Sequence, residues 1–167
     1  AAIPQEMKKA AECFGKNFLG EVSKEEIINN ITRIRDCAGD RAALRALHFV
    51  CENERVKEEV DALRKNNFPQ FLANVKESGD SSFKYLQNVY TCHDVQHQNV
   101  SIALALSDVI FGEKGVCRVH GGGFAGTIQA FVPNYLVPDY QKEMDTIFGK
   151  GSCEVLKIRK YGGIKVL

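Results

Sequence analysis

Arg118-Val119-His120-Gly121-Gly122-Gly123-Phe124-Ala125-Gly126-Thr127-Ile128-Gln129-Ala130-Phe131-Val132 is the stretch that decides how this chain is read. Two short β-like runs, 115–120 and 127–132, flank a loop with four glycines in six positions. A tight hairpin turn is satisfied by a glycine pair. Glycine reaches positive φ freely and lets other groups come close to the backbone. The surplus therefore says that something packs against the main chain here, either a phosphate or another loop.

Working outward, the chain before this hairpin reads as helices. Ser23-Lys24-Glu25-Glu26 is a capping box. Ile27, Ile28, Ile31 and Ile34 follow at helical spacing and predict one apolar stripe. Gly39-Asp40 predicts a stop and a new cap, and 41–65 a long helix buried through Leu44, Leu47, Cys51, Val56, Val60 and Leu63. A shorter helix starts at Asn67-Phe68-Pro69, and Ser78-Gly79-Asp80-Ser81 reads as a break. Val95, Ile102, Leu106 and Val109 share one face of a further helix ending near Gly112. After the hairpin, Pro138 suits a first helical turn, with Tyr140, Met144 and Ile147 inward. Strands are expected over 153–160 and 164–167, with a turn at Tyr161-Gly162-Gly163. The predicted fold class is α+β, helices packed on a mostly antiparallel sheet of about four strands.

Composition narrows the classes. The chain has 167 residues, 44% hydrophobic and 26% charged, which suits a globular domain and not a disordered one. A net charge of +1 leaves no electrostatic footprint for nucleic acid or an anionic membrane. No apolar run approaches the ~20 residues of a membrane span. Ala1 through Lys9 lack a signal-peptide core and read as a loop entering a helix; with no initiator methionine, the chain reads as processed or cut from something longer. Cys13, Cys37, Cys51, Cys92, Cys117 and Cys153 are widely spaced. Without secretory marks they are expected to be reduced thiols in a cytoplasmic protein.

Three other patterns carry possible chemistry. Gly121 to Gly126 formally fits G-x-G-x-x-G, but a dinucleotide site needs a helix after the glycines, and a strand follows. The protein-kinase glycine loop does lie between strands, yet no V-A-I-K, H-R-D or D-F-G follows. A phosphate-proximal loop and a packing loop remain. Cys92, His93 and His97 invite a metal, but zinc needs three or four ligands and no second cluster is evident. Arg41, Arg45, His48, Glu52, Asn53 and Arg55 form a polar stripe, which is either a solvated face or a buried arginine–carboxylate network.

The glycine loop between its strands resembles the third motif of the GHMP small-molecule kinases, usually Gly-Gly-Gly-Phe-Gly-Gly in the galactokinases. Ala125 holds the fifth position here. Arg45-Ala46-Leu47-His48-Phe49-Val50-Cys51-Glu52-Asn53-Glu54-Arg55-Val56 is similar to a galactokinase helix, and Glu77-Ser78 with Ser81 to a Glu-Ser-His-x-Ser turn in which Gly79 replaces the histidine. Ala1 to Met7 looks like a mid-chain galactokinase segment, and a Pro-Glu-Leu-Asp motif appears as His93-Asp94-Val95-Gln96.

The resemblance spans nearly the whole chain and implies a ferredoxin-like GHMP C-terminal domain over 1–167. Residues 1–67 would be a leading helical segment and 68–167 an α/β layer. It implies transfer of phosphate from ATP, with Mg2+, to galactose or a related sugar in a full-length enzyme. No Gly-Leu-Ser-Ser-Ser phosphate loop occurs here, so the catalytic and metal residues would lie in an N-terminal half. That half is the implied partner. This chain would contribute Gly121, Gly122, Gly123, Phe124, Ala125 and Gly126 as one wall of the cleft, with Phe124 as packing anchor. By itself it is expected to be inactive, to bind no ATP, and to be capable of homodimerising through the uncovered face. A non-catalytic sugar-sensing or interaction module is the alternative.

Overall fold

The computed structural model describes residues 2–124 and 126–158. The described residues open in a helix, α1 (Ala2–Glu12), where a loop was expected. The capping box forms as expected: Ser23 Oγ accepts from the Glu26 N–H at 3.1 Å, and the Glu26 carboxylate accepts from the Ser23 N–H at 2.8 Å. It opens α2 (Lys24–Asn29), but the isoleucine stripe does not continue as one helix. Asn30 leaves helical geometry, its side-chain amide donating to the Glu26 carbonyl at 2.8 Å, and α3 (Ile31–Ala38) starts afresh. Ile27 and Ile34 are fully buried, while the break turns Ile28 half outward. Gly39, at φ 92°, ends α3, and α4 (Asp40–Arg64) follows.

These helices enclose a core of Ala10, Ala11, Leu19, Ile27, Ile34 and Ala46. Cys13 and Cys37 are joined in a disulfide that ties the end of α1 to the end of α3. This corrects the expectation of six reduced thiols: wide spacing in sequence says nothing about two helix ends that the fold brings side by side.

The long helix is rotated from its predicted face. Its buried positions are Ala42, Ala43, Arg45, Ala46, His48, Val50 and Ala62, whereas Val56, Val60 and Leu63 lie about half exposed. Small residues let α1 and α3 approach the first half. The second half is covered by α5 (Phe68–Ser81), which docks through polar side chains and Ala62.

The Asn67 carboxamide caps α5 by accepting from the Gln70 N–H at 3.2 Å, and Pro69 sits in its first turn. The expected break at 78–81 is absent. Ser78 donates to Glu52 and Ser81 meets His48 on α4, so neither serine serves as a cap. Gly79 lets the helix lie on a strand, since a Cβ there would stand 3.0 Å from Arg118 Cβ. A single wide turn, Ser82–Leu86, completes the helix.

Beyond it, α6 (Asn99–Phe111) buries Val100, Ala103, Ser107 and Phe111. The predicted face points away: Val95 precedes the helix and is exposed, as is Val109 at 80%. This helix is apolar nearly all round, so periodicity could not choose a face, and the side with small residues took the sheet.

Strands β1 (Val116–Val119) and β2 (Ile128–Phe131) pair antiparallel, Val116 opposite Phe131 and Val119 opposite Ile128. Val116 and Phe131 face Phe71 and Val75 of α5. Cys117, Ile128 and Ala130 face α6 and α7 (Val137–Phe148), where Tyr140 and Met144 are buried as predicted and Ile147 is half exposed. The hairpin is thus held between two helical layers. Among the described residues the sheet has two strands, not about four: 153–158 form no strand, and the rest of that run, the turn at 161–163 and the strand at 164–167 lie outside the described residues.

Candidate functional site

The hairpin carries the glycine loop at its tip. The His120 N–H donates to the Thr127 carbonyl at 3.1 Å and closes the loop's neck. Gly121, Gly123 and Gly126 take φ values of 63°, 71° and 83°. Gly123 alone is pressed against protein. A Cβ there would stand 2.1 Å from the Asn88 carbonyl oxygen and 2.6 Å from its Nδ2. At Gly121, Gly122 and Gly126 a Cβ would meet open space. Gly121, Gly122 and Gly123 donate no backbone hydrogen bond among the described residues, so their N–H groups can serve oxygen atoms brought to the loop.

Within this chain Phe124 does not anchor the loop by its ring, which is 53% exposed. Its backbone does so, at a left-handed φ of 53°, with the N–H donated to the Asn88 carbonyl at 3.0 Å. Asn88 is 1% exposed, and neither polar atom of its carboxamide has a partner among the described residues. Ala125 lies outside the described residues. The loop is thus read both ways at once: Gly123 and Phe124 pack, while Gly121 and Gly122 present open backbone. Nothing in the sequence pointed to Asn88, because a lone asparagine carries no pattern.

Behind the loop, the polar stripe of α4 is the buried network and not a solvated face. Arg45 is 2% exposed, and His48, Glu52 and Arg55 are also largely covered, while Arg41 and Asn53 remain exposed. Glu52 accepts from Ser78, Arg55 and Arg118, which joins α4, α5 and β1 at one carboxylate. His48 Nδ1 lies 2.9 Å from Ser81 Oγ, and burial pushes its pKa down, which favours the neutral ring. The Glu6 carboxyl is held below its usual range, chiefly by its hydrogen bonds from Arg41. Burial and the neighbouring Asp108 push the Cys117 thiol up to about 12, so it is no nucleophile.

Two other features lie apart. A groove of about 620 Å3 between α5, α6 and β1 is lined by Gly79, Phe83, Tyr90 and Ser101, and no loop residue lines it. Cys92, His93 and His97 are exposed. His97 is used locally, its Nδ1 2.8 Å from Asp94, and no group of three or more His, Cys, Asp or Glu that could hold a metal occurs among the described residues.

The sequence and the fold have counterparts. The galactokinase of Glaesserella parasuis serovar 5 is 32% identical over 138 residues, 83% of this chain and 34% of that protein. The galactokinase of Haemophilus influenzae strain Rd is 30% identical over 138 residues, again 83% and 34%. The chain is galactokinase-like. A crystal structure of Lactococcus lactis galactokinase complexed with galactose shares the fold, with a TM-score of 0.68 at 24% identity over 88% of this chain and 36% of that one. No family model matches. The galactokinase-like chain spans about a third of the length of the curated relatives it matches. No helix among the described residues is long and apolar enough to cross a membrane.

Proposed function

We propose that this chain is the C-terminal part of a galactokinase, which transfers the γ-phosphoryl group of ATP to galactose and yields galactose 1-phosphate and ADP. The similarity to galactokinases over 138 residues carries this reading. In it, 1–67 is a leading helical segment and 68–167 the α/β layer that bears the loop. Phosphoryl transfer depends mainly on positioning and charge neutralisation. ATP would supply the phosphoryl group and Mg2+ would offset its charge. The chain's own part is a wall: Gly121 and Gly122 offer N–H groups to substrate oxygens, and Gly123 and Phe124 fix how far the loop reaches. Gly126 and Ala125 complete the proposed binding segment.

In this reading the metal and catalytic groups belong to an N-terminal half, the proposed partner. The chain alone is then inactive and binds MgATP at most weakly. Val56, Val60, Leu63 and Phe68, all partly exposed, offer an apolar surface through which isolated copies would self-associate. The disulfide removes the thiol argument for the cytoplasm; the proposed cytoplasmic location rests on the need for ATP.

The test is ADP release by the protein that joins this chain to its upstream residues, against a panel of galactose, glucose, mevalonate and homoserine. Galactose-dependent release supports the reading. Galactose binding without release identifies a sensing module, and release with another substrate only reassigns the acceptor; either overturns the proposal.

A further inference from the structure

We infer that Arg45 is a positioning residue for the glycine loop, through a relay of hydrogen bonds that runs from α1 to Phe124. The inference builds on the reading of that loop as the functional element.

The relay starts at Glu6 on α1. Its carboxylate receives Arg45 Nη1 at 2.6 Å, and Arg45 Nε donates to the Leu86 carbonyl at 3.0 Å. Leu86 ends the wide turn after α5. The next residue, Gln87, is left-handed at φ 55° and ψ 54°, and its N–H donates to the Ser82 carbonyl at 2.8 Å. The Leu86–Gln87 peptide is therefore held at both its carbonyl and its N–H. It aims Asn88 upward, so that the Asn88 carbonyl meets the Phe124 N–H and Asn88 seats Gly123.

Two independent observations single this path out. First, a guanidinium 2% exposed is costly to bury, and an apolar side chain would fill the α4 interface with less penalty. Its use makes sense where a rigid fork must hold two partners at a fixed angle, here the Glu6 carboxylate on α1 and the backbone carbonyl of Leu86, 41 positions after Arg45. Second, Gln87 and Phe124 are two of only three non-glycine residues with positive φ among the described residues, and they lie at either end of the Asn88 contact. Such geometry persists only where the surroundings over-determine it, and it gathers at functional sites. Arg45 is the side chain that holds the lower half of that contact.

The test is amide hydrogen exchange on the 167-residue chain. Arg45→Lys keeps the charge for Glu6 but lacks the planar fork that spans both partners. Its Phe124 amide is expected to exchange about tenfold faster than in the parent, as befits a lost charged hydrogen bond, while the Met144 amide in α7 holds its rate. Unchanged exchange at Phe124 overturns the inference, and so does equal acceleration at both amides, which would mean general loosening. If Arg45→Lys does not fold, Glu6→Gln decides: a smaller, loop-confined rise supports the relay, and no rise refutes it. Exchange is read without substrate, so a failure of the kinase reading leaves this result standing.

Discussion

Replacing Gly123 by alanine puts the loop's seating to the test. The added Cβ would lie 2.1 Å from a backbone oxygen and 2.7 Å from Asn88 Cβ, so no rotamer change relieves it. Holding the loop in place would cost about 1–3 kcal/mol in overpacking and about 1–2 kcal/mol for a left-handed alanine. Letting it lift costs only the Phe124–Asn88 hydrogen bond, about 0.5–1.5 kcal/mol. The loop tip is exposed, so lifting wins. The variant should therefore stay folded, lose about 1 kcal/mol in urea unfolding, and place the loop wrongly by an ångström or more. Misplacement on that scale reduces turnover by about 100-fold. Gly122→Ala is the control, with open space around it and no positive φ, and should stay within about 0.5 kcal/mol of the parent. Equal melting and equal turnover for the two variants would refute the reasoning.

Gly79→Val should loosen α5 from β1 by about 2 kcal/mol in urea unfolding, because its Cβ would already crowd Arg118 Cβ and the Cys117 carbonyl. Reducing the Cys13–Cys37 disulfide should lower stability by about 2–4 kcal/mol, and thiol titration of the denatured, unreduced chain should count four free cysteines, not six. His48, faced by Glu52, Arg55, Arg118 and Ser81, titrates lower when folded. Its contribution is therefore whole above the unfolded value of about 6.5 and is lost as pH falls below it, since the unfolded state takes the proton first. Urea midpoints measured from about pH 7.5 to about pH 5 should fall less in His48→Gln than in the parent; parallel curves would dismiss the buried histidine.

Local signals were legible where one short-range interaction fixes the outcome. Ser23, Gly39, Asn67 and Pro138 mark helix ends in the sequence and in the fold, and the β1–β2 pair flanks the glycine loop as read. Faces were less legible. In α4 the larger aliphatic side chains form a regular apolar stripe, yet small residues and a buried ion network occupy the interface, because close helix approach and paired charges outweigh apolar side-chain size. In α6 two apolar faces compete. Ser78, Gly79 and Ser81 look like a break because that is the usual use of such residues, and only the neighbouring His48, Glu52 and Arg118 show their other use. The candidate site was half visible. The loop was found from its glycines, whereas Asn88 and Leu86 act through backbone carbonyls, which every residue has.

The most direct test of the central claim follows the phosphorus NMR spectrum of galactose and MgATP incubated with the protein joining this chain to its upstream residues, beside its Gly123→Ala variant. The account predicts a galactose 1-phosphate signal growing with ADP for the parent and about 100-fold more slowly for the variant. An unchanged ATP spectrum with the parent, or equal rates for the two proteins, would contradict it.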